Sequence, residues 1–363
     1  MKRILIVNHY WPPTGGACVQ RWVDFSSYLS ELGYNITVLT PENPGFDQMD
    51  YTLENRVDDR IKVVKVPYKN IVSGAKKTIG NNKFSLFVRG NLFLPDARKS
   101  WNKNAIRFIK QNISDFDIII TAGPPHSAHF IGYYFRNEIK WIADFHDFWT
   151  DAIYVKSFNR TIIASLIDKY FEKRILRNAD CIFTHSETGK RKYSLLTEKR
   201  IEVVPMGFYN KFFCGPNPMV EEGVISHIGT FFENYADAFE LIKEYSKKGY
   251  RFRQIGPVIG NISFPEGSEI IPYLEHEKAI MYMRKSEILL LINHENFLPG
   301  KIFEYIASMR KIELISPAGS DAENLINFNR LRDKESITSD YSRKNIASRI
   351  ADIIEELTSS SSN

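Results

Sequence analysis

Glu287-Ile288-Leu289-Leu290-Leu291-Ile292-Asn293, followed after a short interval by Pro299-Gly300-Lys301-Ile302-Phe303-Glu304-Tyr305, reads as an apolar strand, a Pro-Gly turn and a helix start. Lys301 and Glu304 stand one helical turn apart and so share a face. In an open α/β sheet, ligands bind beyond the carboxyl ends of the strands, where helix N-termini turn backbone N–H groups toward anions. At such a junction Lys301 is placed to meet a phosphate, and Glu304 to accept hydrogen bonds from a pair of sugar hydroxyls. Pro12-Pro13-Thr14-Gly15-Gly16 closely follows the first apolar run and precedes a helical pattern, a second junction of the same kind.

Outward from these junctions, short β-branched runs alternate with amphipathic segments along the whole chain. Strands are predicted over 4–7, 36–40, 62–66, 117–121, 141–145, 181–185 and 201–204, then over 223–228, 251–255, 269–271, 288–292 and 311–315. Helices are predicted over 19–32, where Gly33 supplies a stop, and over 100–111 and 161–177. This alternation predicts right-handed crossovers and parallel sheets. Pro205-Met206-Gly207 leads into Cys214-Gly215-Pro216-Asn217-Pro218, a Pro/Gly-rich joint between two such series. The expected domains are 1–205 and 206–340, with a terminal helix and frayed Ser-rich tail over 341–363.

A chain of 363 residues is long enough for two cores. Its three cysteines are scattered, odd in number and without metal-ligand spacing, which disfavours a disulfide framework and suits a reducing compartment. The apolar run after Met1-Lys2-Arg3 ends at Asn8 and His9, too early for a signal peptide. No apolar stretch approaches the ~18 residues of a membrane span. A cytoplasmic protein, peripheral to the inner face of a membrane, is the expectation. The net charge of +5 is unevenly spread: Lys69 to Lys110 holds seven Lys and three Arg against one acid, Asp96. Large apolar residues interleave with these charges, which suits an anionic membrane surface or lipid-linked acceptor; a solvated basic face is the alternative. No nucleic-acid-binding module is present.

In the glycine loop, Gly15 and Gly16 let the backbone approach a ligand closely; a plain tight turn is the alternative. Asp144-Phe145-His146-Asp147-Phe148-Trp149-Thr150-Asp151 closes an apolar strand with carboxylates, an imidazole and an indole. Such a cluster either serves a site or pairs internally. His146 is the candidate to hydrogen-bond a sugar hydroxyl or a leaving diphosphate, and Asp147 and Trp149 are candidates for the acceptor side. Gly229-Thr230, after the first strand of the second half, can bring N–H groups to a diphosphate, although these residues alone favour an ordinary strand-to-helix turn. No histidine spacing argues for a bound metal.

The order of these parts resembles glycosyltransferase family 4: glycine loop, histidine loop, the Val204-Pro205-Met206-Gly207 boundary, Gly-Thr loop and Lys-Ile-Phe-Glu-Tyr helix. Phe93-Leu94-Pro95-Asp96-Ala97-Arg98 is similar to a run in bacterial polysaccharide-assembly members. The resemblance implies an α/β fold with two Rossmann-like domains facing across a cleft, the GT-B architecture. It implies a retaining transferase of the hexosyltransferase class that needs neither metal nor cofactor. The donor would be a nucleotide-diphosphate sugar and the acceptor a sugar or lipid-linked sugar in surface polysaccharide synthesis. On this resemblance Glu304 holds the nucleotide ribose, with Gly300 and Lys301 beside it. His146 lies near the transferred sugar, and Gly16 touches the donor phosphate. The chain departs from the pattern twice. Eight residues before Glu304, where the family carries a second glutamate, stands Asn296, with Glu295 one place off. After Gly229 no Lys or Arg occurs before Lys243. These departures keep open an assembly or binding protein whose donor site has decayed; the shared architecture leaves a nucleotide-sugar epimerase as a second alternative.

Overall fold

In the computed structural model, the structure describes residues 2–45, 49–68, 83–152, 155, 158–216, 218–293 and 298–359, with only the backbone of 83–85. Lys69, Lys76 and Lys77 of the basic segment, Asn217 of the joint, Glu295, Asn296 and the tail from 360 lie outside the described residues. The chain divides into two units, Met1–Pro205 with Ile346–Asn363, and Met206–Asn345.

The first unit is built on β1 (Arg3–Asn8), β2 (Asn35–Pro41), β3 (Lys62–Val66), β4 (Ile118–Gly123), β5 (Lys140–Phe145), β6 (Cys181–Thr184) and β7 (Arg200–Val203). Between them run α1 (Ala17–Glu31), α2 (Lys83–Leu92), α3 (Asn102–Asn112), α4 (His129–Phe135), α5 (Ile162–Leu176) and α6 (Glu187–Ser194). The strands form one sheet in the order β3-β2-β1-β4-β5-β6-β7, and every pairing is parallel. Central strands covered on both faces read as unbroken apolar runs, as Ile4-Leu5-Ile6-Val7 does, with all four side chains fully buried. Because β1 lies between β2 and β4, the strand order reverses direction there, which opens a crevice beyond their carboxyl ends.

The second unit repeats the plan with β8 (Glu221–Ile228), β9 (Phe231–Phe232), β10 (Arg251–Ile255), β11 (Val258–Ile259), β12 (Glu269–Ile271), β13 (Ser286–Ile292) and β14 (Lys311–Ile315). Its helices are α7 (Ala236–Lys247), α8 (His276–Lys285), α9 (Lys301–Ala307), α10 (Asp321–Asn329), α11 (Lys334–Tyr341) and the start of α12 (Arg343–Ser359). The parallel sheet runs β12-β10-β8-β13-β14, so its switch point lies between β8 and β13. A small β9–β11 ladder stands apart.

From Ile346 onward, α12 counts with the first unit. There Glu355 accepts from the Tyr34 hydroxyl at 2.9 Å, and Glu356 pairs with Arg200 at 2.6 Å. All twelve predicted strands are present, with ends displaced by two residues at most.

Candidate functional site

At the first unit's switch point, Gly16 caps α1 in an extended conformation with φ 104°, open to glycine and strained for other residues. Gly15 is buried beside it. Gly123 closes β4 where a Cβ would stand 2.7 Å from the His129 ring and 2.9 Å from that of His126. Its carbonyl accepts from the His146 backbone N–H at 3.0 Å, which fixes the loop after β5 against the end of β4.

A pocket of about 520 Å³ gathers Gly16, His146, Asp147, Trp149, Arg98 and Arg160 at these strand ends. His146 and Asp147 are half-buried. Burial raises the Asp147 carboxyl above its ordinary range, while His185 pulls it back. Trp149 is 1% exposed, stacks on His126 at 5.0 Å and donates its indole N–H to Asp168 at 2.9 Å. It therefore offers the pocket ring surface, its one donor being already engaged. Burial pushes His126 down to about 3, so that ring is neutral.

The carboxylates of the histidine loop separate in the fold. Asp144 is fully buried and accepts from Arg21 at 3.0 Å and from the Trp22 indole at 2.8 Å, tying β5 to α1. Asp151 pairs with Lys192 at the surface. Of the three, only Asp147 lines the pocket. Asp96 takes the backbone N–H and hydroxyl of Ser127, each at 2.8 Å, and so folds its own segment over the turn after β4. Within the described part of the basic segment, Lys99, Lys103, Arg107 and Lys110 are exposed, whereas Arg89 and Arg98 turn to the pocket.

The second unit assembles Gly229, Thr230, Gly300, Lys301 and Glu304 around its own switch point. Gly229 leaves β8 with φ 127°, donating its N–H to the Ile255 carbonyl at 2.8 Å. A Cβ there would lie 3.1 Å from the Lys301 ammonium. Thr230 is half-buried next to it. Gly300 caps α9 at φ −56°, a conformation any residue adopts.

The Lys301 ammonium donates to the Ile228 carbonyl at 2.8 Å and lies 3.4 Å from Nε2 of His227. The other nitrogen of His227 meets Oε1 of Gln254 at 2.8 Å. The Gln254 amide donates to the carbonyls of Gly229 and Gly256, so its oxygen must accept from His227 Nδ1. Nε2 is then left as an acceptor facing Lys301, and burial holds the ring neutral. Among the described residues no carboxylate lies within ion-pair distance of Lys301. Burial lowers its pKa to about 8, opposed by the more distant charge of Glu304.

Glu304 is 8% exposed and meets Nε2 of His276, the first residue of α8, at 2.6 Å. His276 was not anticipated from the sequence, since nothing in its local pattern links it to Glu304. Tyr305, one residue on, accepts from the Ile228 N–H at 3.2 Å and locks α9 to the end of β8. Among the described residues no three His, Cys, Asp or Glu side chains are arranged to hold a metal ion.

Two parallel-sheet units, each with its polar residues at a switch point, have the composition of the GT-B class. Solved structures of that class share this fold. Sucrose-phosphate synthase from Thermosynechococcus elongatus superposes with a TM-score of 0.62 at 12% identity, over 99% of this chain and 100% of that one. TarM gives 0.62 at 12%, over 98% and 99%. Phytolacca americana UGT2, solved with UDP-2fluoro-glucose and pterostilbene, gives 0.56 at 11%, over 99% and 94%. At such identities the likeness is one of fold. No protein of curated function matches the sequence. The profile of Glycosyltransferase Family 4 matches residues 18–209, more than half of the chain, and the chain belongs to that family. It is a glycosyltransferase.

Proposed function

We propose that this glycosyltransferase moves a sugar from a nucleotide-diphosphate sugar to a hydroxyl of a sugar or lipid-linked sugar. Transfer would retain anomeric configuration, need no metal ion and serve surface-polysaccharide assembly. One observation carries the donor assignment: a half-buried lysine beside the Gly229 loop, its ammonium held only by neutral acceptors. A cation partly withdrawn from water lacks a counter-charge here among the described residues, and a diphosphate would supply one. Lys301 thereby occupies the role left open by the missing Lys or Arg after Gly229. The same charge opposes the negative charge that grows on the leaving diphosphate as an oxocarbenium-like transition state forms. Glu304, steadied by His276, would accept from the ribose hydroxyls. On the acceptor side, His146 and Asp147 would orient hydroxyls over the ring of Trp149.

A thermal-shift screen of UDP, GDP, ADP and CMP with their sugars tests this. A rise in melting temperature with one nucleotide family supports an intact donor site. Silence across the set rejects it and leaves the non-catalytic binding protein. Conversion of a nucleotide sugar to its epimer without acceptor would identify the epimerase.

A further inference from the structure

Helix α5 is amphipathic the wrong way round for a helix packed on a sheet. Its inward face carries Ala164, Asp168, Glu172 and Ile175, all buried. Ile162, Ile163, Leu166, Ile167 and Tyr170 form the outward stripe and are between 41% and 79% exposed. The inversion is fixed by polar partners. Asp168 takes the Trp149 indole and Arg160, and Glu172 takes the Thr150 hydroxyl at 2.6 Å. With both of the helix's acids held inside, its exposed face has no negative charge. Lys169, Lys173, Arg174 and Arg177 are all exposed along its C-terminal half and just beyond.

Five large apolar side chains on one stripe exceed the scatter usual on a soluble surface. The end of α2 extends the patch: Asn91 accepts from the Thr161 N–H at 2.7 Å, and next to it Leu92 is 72% exposed. The α3–α4–α5 helices pack as one layer, and α3 adds exposed Lys103, Arg107 and Lys110.

We propose that this face of α5, with Leu92, docks on an anionic phospholipid bilayer. The isoleucines and Leu166 would enter the boundary between headgroups and acyl chains, while the cations meet lipid phosphates. No described helix is long and apolar enough to cross a membrane, so the association is interfacial. A second copy of the chain is the poorer occupant, because a two-fold contact would set these cations against their own image with no carboxylate between. Arg160 lines the His146 pocket and also grips Asp168 of α5, so docking would bring that pocket to the lipid surface. The proposal stands on this surface and not on the sugar-transfer reading.

Flotation of the full chain with vesicles tests it, comparing phosphatidylcholine alone with phosphatidylcholine containing roughly one third phosphatidylglycerol. Binding to the anionic vesicles is expected, weakening as salt rises. The triple variant Ile163→Ser/Leu166→Ser/Ile167→Ser should bind about tenfold less or weaker still, with an unchanged melting temperature. Lys169→Glu/Lys173→Glu should lose the preference for anionic lipid. The proposal is overturned if the parent ignores anionic vesicles at low salt, or if the triple variant floats as the parent does. It is equally overturned if ultracentrifugation finds a dimeric parent and a monomeric triple variant. None of these readouts depends on sugar transfer.

Discussion

Lys301 is half-buried, with carbonyl and imidazole acceptors around its ammonium, and on the proposed donor role its protonation couples to both ligand binding and folding. With its pKa near 8, the positive charge of Lys301 is lost as pH rises through that value. Affinity for a nucleoside diphosphate, measured by calorimetry, should therefore fall above about pH 8. Lys301→Met should bind weakly at every pH and show no such fall. Folding carries the opposite slope. Between about 8 and 10.5 the unfolded lysine holds a proton that the folded one has released, so this residue adds stability as pH climbs through that window. Urea unfolding at several pH values should find that contribution missing from the methionine variant. His146 makes a different prediction, because it lies in the first unit. His146→Ala should cut turnover by roughly tenfold or more, about 1.4 kcal/mol of transition-state stabilisation per factor of ten. Nucleotide affinity and melting temperature should stay close to the parent's. A drop in melting temperature would instead mark the ring as a structural support.

The loops after strands are where local sequence and long-range geometry meet. Gly256 has φ 116°, and a Cβ on it would stand 2.6 Å from the Gly229 carbonyl. Gly256→Ala should consequently displace the Gly229 loop, costing about 1–3 kcal/mol of stability and weakening nucleotide binding. Equilibrium unfolding and calorimetry of the variant check both effects. The placement of Gly16, Gly229, Lys301, Glu304 and His146 in the segments that follow strands was legible in the chain, because the alternation of apolar runs and amphipathic segments locates the strand ends. Their partners were not. His227 meets Gln254 from the neighbouring strand, and His276 reaches Glu304 from a separate helix, pairings that only the sheet order creates. Trp149 lines the pocket with its ring alone, stacked on His126, because Asp168 claims its N–H, a partner from a separate helix. The β9–β11 ladder has only two residues a side, too few to leave a periodic signal. On α5 the apolar stripe faces outward, a direction that the helical pattern over 161–177 did not specify and that the buried partners of Asp168 and Glu172 set.

On the scale of the whole molecule, the first unit is discontinuous in sequence, drawing on residues from both ends of the chain. Ile346, Ile350, Ile353 and Ile354 of α12 are all buried. Each such side chain contributes about 1.5–3 kcal/mol when fully buried. A chain ended after residue 345 should therefore lose a large part of the first unit's stability. Calorimetry should find its melting transition lowered by about 10 °C or more, or absent. The discontinuity also orders events at the ribosome. All of 206–345 must be synthesised before the closing segment of the first unit exists. The second unit can thus finish folding while the earlier-made residues still wait with an uncovered flank. That interval, set by elongation at about 5–20 residues per second, is when a chaperone would find its opening on the nascent chain.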